Sequence, residues 1–288
     1  MTKKISRRSF LKTAAGSLLT ALAAGSGSYY YAREIEPKLL DTAVHKIIDP
    51  SIPQAFNNFR AVQFSDTHIG FQYTLGQLEK LAGKINSLEP DIIFFTGDLM
   101  DEPNKFMQAE QIVSILEQLN APFGKFAVYG NHDHGGYGSD IYKNIIEKSG
   151  FRLLLNESHQ VKLGENSIYI AGVDDAMLGR PDLKKTAGSI PEGHYSILLS
   201  HAPDLADKAY ENSFHFQLSG HSHGGQVKIP FFGALVTPPY GQKYYEGFYT
   251  IGDTDPLTLY VNRGLGTTRL PFRFLSKPEL TLFTFHSS

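Results

Sequence analysis

The sequence predicts a mixed α/β fold in which two sheets pack together with helices on the outside. Strand-like and helix-like segments alternate as β-α-β-α-β in the first half, which implies parallel pairing, while the second half is richer in hairpins. The 288 residues include 20 Phe and 15 Tyr, enough to fill a large core although Trp is absent. With 41% hydrophobic and 19% charged residues the chain reads as ordinary globular protein, neither disordered nor membrane-embedded throughout.

Each element has its own signal. Phe59 to Ser65 is a buried strand, and Leu75 to Leu88 an amphipathic helix that stops before Glu89-Pro90. Ile92, Ile93, Phe94 and Phe95 make 91–96 a second strand, followed by a helix over 106–119 and a strand over 125–129. A third helix is expected over 141–149. Short strands follow at 152–155, 160–163 and 167–171, the last two forming a hairpin around Gly164-Glu165. Strands at 196–200 and 214–219 flank a helix near 204–210, and strands at 257–261 and 280–285 close the chain. No internal repeat occurs, and no domain boundary is expected after residue 55.

The N-terminus reads as an address. Residues 1–32 carry five basic side chains (Lys3, Lys4, Arg7, Arg8, Lys12) and no acid, ahead of a short, weakly apolar stretch, Leu18 to Ala24. That stretch is too short and too rich in Gly and Ser for a confident transmembrane helix. Ser6-Arg7-Arg8-Ser9-Phe10-Leu11-Lys12 resembles the twin-arginine export signal, which implies the twin-arginine translocase as a partner and an extracellular, wall or membrane-surface location. Ala21-Leu22-Ala23 and Tyr30-Tyr31-Ala32 are rival cleavage sites. Residues 1–32 are therefore expected to be a signal segment, 33–55 a linker with Pro50 and Pro53, and 56–288 the functional domain.

Without the leader the chain holds 22 basic and 29 acidic residues, a net charge near −7. An acidic body argues against general nucleic-acid binding, because neutralising phosphates needs a basic face. There are no cysteines, so disulfides, thiolate metal sites and cysteine nucleophiles are excluded. Any metal must be held by nitrogen and oxygen.

Five predicted strands end in a metal-competent side chain: Asp66, Asp98, Asn131, His201 and His221. Ligand sites of α/β folds lie at the carboxyl ends of strands, so these residues are expected to converge. In Asp66-Thr67-His68 and His221-Ser222-His223 the paired candidates are two apart, which on an extended backbone points both to one side. Imidazoles, carboxylates and one amide suit Mn²⁺, Fe²⁺ or Zn²⁺ better than an all-oxygen Ca²⁺ cage.

Taken in order, Asp66-x-His68, Gly97-Asp98, Gly130-Asn131-His132-Asp133, His201 and Gly220-His221-Ser222-His223 resemble the calcineurin-like metallophosphoesterase family over about residues 60–285. Residues 220–227, 264–266 and 270–271 look like an exported branch of that family. The resemblance implies a four-layer α/β/β/α sandwich. It implies one divalent ion, manganese by first expectation and iron or zinc otherwise, on Asp66, His68 and His223, and a second on Asn131, His201 and His221. Asp98 would bridge the two, with a shared hydroxide as nucleophile. His132 stands at the position of the family's catalytic histidine and Asp133 at that of its orienting acid. The substrate is then a phosphate monoester, diester or pyrophosphate. The other class of function is a non-catalytic binding module of the cell envelope. Arg263, Arg269 and Arg273, near Lys277, form a basic loop in which one guanidinium is expected to grip a substrate phosphate.

Overall fold

A computed structural model describes residues 6–135 and 138–288. Its first sheet runs β1 (Asp41–Ile48), β14 (Glu279–His286), β2 (Phe59–Phe64), β3 (Ile92–Phe95), β4 (Lys125–Ala127) and β5 (Phe151–Leu153) in spatial order. Strands β2 to β5 are parallel, and β14 is antiparallel to β2. The second sheet runs β12 (Gly247–Ile251), β13 (Leu257–Val261), β9 (Phe216–Ser219), β8 (Ser196–Leu199), β7 (Asn166–Gly172) and β6 (Glu157–Leu163). Its four inner strands are parallel, with an antiparallel strand on each edge. A small hairpin, β10 (Lys228–Ile229) and β11 (Gly233–Ala234), stands apart.

The two-residue side-chain period of a strand sorts these sequences into layers. Ala61, Ile92 and Phe94 face Ile170, Ile197, Leu199 and Phe216 between the sheets. Val62, Phe64, Ile93 and Phe95 point the other way, against α2 (Leu75–Ser87), α3 (Ala109–Leu116) and, beyond the short α4 (Asn131–His134), α5 (Ser139–Lys148). Ala171, Leu198 and Val261 cover α6 (Leu183–Gly188) and α7 (Ala206–Glu211) on the far side. The result is the expected four-layer α/β/β/α sandwich. Helix α2 starts where Thr74 and Gln77 form a capping box, which satisfies donors that the helix itself leaves unpaired.

The segment expected to be a linker is corrected in part. Residues 41–48 form β1, paired in parallel with β14 across more than two hundred residues of chain. Ala32 and Glu36 are buried too: Arg273 N–H donates to Ala32 O (2.9 Å) and Ser276 N–H to Glu36 Oε1 (2.6 Å). Chain as far back as Ala32 is thus packed into the body. Residues 7–30 form an exposed helix, α1 (Arg7–Tyr30), and among the described residues no helix is long and apolar enough to cross a membrane. Residues 1–5, which carry Lys3 and Lys4, lie outside the described residues.

Candidate metal centre

The carboxyl ends of β2, β3, β4, β8 and β9 meet at one edge of the sandwich, and the side chains that follow them converge. Asp66 Oδ1 lies 3.5 Å from His223 Nε2 and 4.0 Å from His68 Nε2. His68 Nε2 and His223 Nε2 are 3.0 Å apart. His201 Nε2 is 3.1 Å from His221 Nδ1 and 3.3 Å from Asn131 Oδ1. Asp98 Oδ2 touches both sets, at 3.5 Å from His68 Nε2 and 3.3 Å from His201 Nε2. The structure therefore brings all seven candidate ligands together in two groups that share one carboxylate oxygen.

These donor atoms suit cations. His201 Nδ1–H donates to Thr96 O (2.7 Å) and His221 Nε2–H to Pro239 O (2.8 Å). Those bonds turn His201 Nε2 and His221 Nδ1 toward each other at 3.1 Å, so positive charge must lie between them. In the protein alone burial lowers the His201 pKa, but the Asp98 carboxylate outweighs it and raises that pKa well above the usual imidazole range. Donation by the far ring nitrogen is also how second partners orient metal-binding histidines. Burial raises the Asp98 pKa, but attraction from His201, His132 and His68 prevails and holds it well below the usual carboxylate range. Burial, with His68 and the Arg273 guanidinium, holds His223 well below the usual imidazole range, so it stays neutral and competent as a ligand.

The backbone that carries these groups is not the extended one expected for the two-apart pairs. Asp66, His68, Asp98, His221 and His223 all have φ between +44° and +70°, the left-handed region that L-residues enter at a cost. Each strand turns sharply as it leaves the sheet, and the spacing works through that turn. Gly97 (φ +95°) lets two of these loops approach closely, since a Cβ there would stand 2.6 Å from Gly130 N. Buried Gln63 ties the sheets beneath the site, donating to Thr96 Oγ1 (3.1 Å) and Ser219 O (3.0 Å).

His132 sits beside the two groups, its ring 4.5 Å from that of His68. Its Nδ1–H donates to Asp101 O (2.8 Å), which leaves Nε2 facing Thr268 Oγ1 at 3.5 Å. Burial lowers its pKa, yet the charges of Asp98 and Asp101 outweigh that and raise it. Asp133 does not orient this ring, contrary to expectation. Its carboxylate accepts from the backbone N–H groups of Asp98 (2.8 Å), Leu99 (3.0 Å) and Gly130 (2.8 Å), so it braces the loops that carry Asp98 and Asn131. Burial and the Asp98 charge push its pKa up to about 7 against those three donors. The acid beside His132 is Asp101, whose Oδ1 lies 3.5 Å from His132 Nδ1 and 3.3 Å from His68 Nδ1. Residue type alone does not single it out; the available signal is a second aspartate three residues after Asp98.

The basic loop is also corrected. Arg263 pairs with Glu279 (2.5 Å) and Asp41 (2.7 Å), away from the centre. Arg273 is fully buried and donates to Gly266 O, Ser276 O, Arg263 O and His223 Nδ1 (3.2 Å), so it fastens its loop to the back of the site. Arg269 alone of the three lines the cavity that opens over the metal centre. That cavity holds about 550 Å³ and is walled by Tyr29, Met177, Val236, Leu270, Phe272 and Phe274. His134, outside the donor groups, bonds Ser139 Oγ and Asp174 Oδ1, each at 2.7 Å.

A sequence profile of the calcineurin-like phosphoesterases matches residues 59–225. The chain is 46% identical over 287 residues, 99% of each chain, to the uncharacterized metallophosphoesterase YkuE of Bacillus subtilis. It is 29% identical to the UDP-2,3-diacylglucosamine pyrophosphatase LpxG of Chlamydia trachomatis, over 92% of this chain and 95% of that one. Among solved structures, TT1561 of Thermus thermophilus superposes with a TM-score of 0.44 at 14% identity, covering 72% of this chain and 89% of the other. The chain belongs to the calcineurin-like phosphoesterase family and is a YkuE-like hydrolase of phosphoric esters.

Proposed function

We propose that this protein is a binuclear metal-dependent phosphoesterase that works outside the cytoplasm. The observation that carries the reading is Asp98 Oδ2, within 3.5 Å of a donor nitrogen in each of two ligand groups. Asp66, His68 and His223 would hold one divalent ion and Asn131, His201 and His221 the other, with manganese, iron or zinc suited to this mixed set. Two such ions supply Lewis acidity to the phosphoryl oxygens and a water acidified enough to attack at neutral pH.

The side chains around them do the rest. His132 Nε2 offers a proton to the departing oxygen, and the bond from its Nδ1–H to Asp101 O keeps the ring aimed. The buried wall of Asp66, His68, Asp98 and His201 excludes water from all but the substrate side, which strengthens every charge interaction inside. Phosphomonoesters, diesters and pyrophosphates all fit such a centre. The relative named for pyrophosphatase action on UDP-2,3-diacylglucosamine supports pyrophosphates as the first class to screen. Export by the twin-arginine route belongs to the same proposal and rests on Arg7 and Arg8.

Elemental analysis of the purified protein with hydrolysis of bis-p-nitrophenyl phosphate tests the reading. Asp98→Ala is expected to lose both ions and all activity, and His68→Ala mainly one ion. An Asp98→Ala protein that retains two tightly bound metals defeats the bridging assignment.

A further inference from the structure

Several features around the cavity mouth are unexplained by hydrolysis of a small ester. The β10–β11 hairpin ends in Pro230-Phe231-Phe232, and both aromatic rings are almost entirely exposed. The tip is a turn closed by Phe232 N–H donating to Ile229 O (3.0 Å), with Pro at its second position and Phe231 (φ +70°) at its third. That third position favours glycine, so a phenylalanine there carries a backbone cost as well as the cost of wetting its ring. Among the described residues nothing covers either ring.

The patch continues into the site. Ile229, Leu235, Val236, Leu270 and Leu275 are exposed beside the hairpin, and Leu235, Val236 and Leu270 also wall the cavity over the metal centre. Helix α1 joins the body at the same rim, where Ser28 and Tyr29 line the cavity and Tyr29 packs on Phe272 at 5.3 Å between ring centroids. Leu11, Leu18, Leu19 and Leu22 are exposed along it. The charge is arranged to match. Among the cavity-lining residues Asp98 is the one acid, Arg269 stands at the mouth, and α1 carries Arg7, Arg8 and Lys12 with no acid. Outside residues 1–32 the chain carries a net charge near −7. Anionic lipid would therefore attract α1 and Arg269, and the cavity lining adds one carboxylate against that attraction.

We propose that the mouth of the metal centre is a lipid-docking surface, with Phe231 and Phe232 inserted into the interface and the apolar cavity receiving the hydrocarbon chain of an amphiphilic phosphoester. This deepens the phosphoesterase reading and rests on it for the substrate, though not for the docking. Amphipathic elements bind interfaces through buried apolar area combined with attraction to anionic lipid. The cavity explains how a phosphoester leaves the surface without exposing its tail to water.

The test uses the full, metal-loaded chain and vesicles of equimolar phosphatidylcholine and phosphatidylglycerol. Wild type is expected to pellet with these vesicles, and less with phosphatidylcholine alone. Phe231→Glu combined with Phe232→Glu is expected to weaken pelleting by roughly tenfold or more, the scale set by losing two buried aromatic rings. Its kcat/KM for methyl p-nitrophenyl phosphate, without vesicles, should stay at the wild-type value. Its turnover of vesicle-borne dodecyl p-nitrophenyl phosphate should fall with the binding. A wild type that does not pellet, or a double variant that pellets as well as wild type because α1 alone binds, overturns the proposal. A protein that pellets through the two phenylalanines yet hydrolyses neither ester upholds the docking surface and overturns the hydrolase reading instead.

Discussion

Gly220→Ala probes the metal centre with a single carbon. A Cβ at Gly220 would stand 2.1 Å from Ser65 Oγ and 2.2 Å from Asp66 Oδ2, more than about 1 Å inside a comfortable nonbonded separation. The φ of Gly220 lies outside the left-handed region, so the backbone itself tolerates alanine and the whole effect is steric. The Asp66 carboxylate is held by His221 N–H, which lies 3.0 Å from both its oxygens, and it cannot move aside without losing that bond. Overpacking costs about 1–3 kcal/mol and a charge-assisted bond about 1.5–3 kcal/mol. If about 3 kcal/mol of this falls on the metal-bound state, affinity at the Asp66–His68–His223 site drops roughly 10²-fold. The Asn131–His201–His221 site should be affected less, because the His221 ring is fixed separately by Pro239 O. Chelator competition followed by elemental analysis measures the two affinities. Gly83→Ala, at an open position in α2, is the control and should stabilise by about 0.5–1 kcal/mol. A Gly220→Ala protein with both wild-type affinities would refute the geometry of the Asp66 carboxylate.

Three further outcomes are expected. His132→Asn should keep both metals while turnover falls roughly 10²–10⁴-fold, with a larger loss on an alkyl ester than on a nitrophenyl ester that departs without a proton; loss of metal would make His132 a ligand. Arg7→Lys with Arg8→Lys should abolish export and leave active enzyme inside the cell, whereas N-terminal sequencing of the exported wild type should place any cleavage before Tyr29, since cutting at Tyr30-Tyr31-Ala32 removes a cavity wall. His215 accepts Ser196 N–H at Nδ1 (3.2 Å), and burial lowers its pKa from 6.5, so the folded state favours the neutral ring. The unfolded chain then binds more protons below pH 6.5, and stability to urea should be full above that pH and fall beneath it. The decline should be shallower in His215→Asn, and equal slopes in both proteins would remove His215 as the cause.

The sequence by itself determined the layers and the chemistry. Runs such as Ile92-Ile93-Phe94-Phe95 read as strands buried on both faces, and an acid, amide or imidazole after each strand marked a metal-competent edge. These signals are local: side-chain period and residue type survive without knowing what lies opposite. Tertiary structure decided everything that depended on a distant partner. Strand β1 is a weakly alternating edge whose pairing partner is the C-terminal strand, so the residues before 56 read as linker until β14 was beside them. Asp133 and Asp101 look alike in sequence, yet three converging backbone N–H groups claim the first for bracing, and proximity to His68 and His132 gives the second the acid's place. Arg263 and Arg273 were equally plausible phosphate grips until ion pairs and carbonyls consumed their donors. The left-handed turns at Asp66, His68 and Asp98 are likewise invisible in residue type, because such strain is affordable only where a finished sandwich over-determines it.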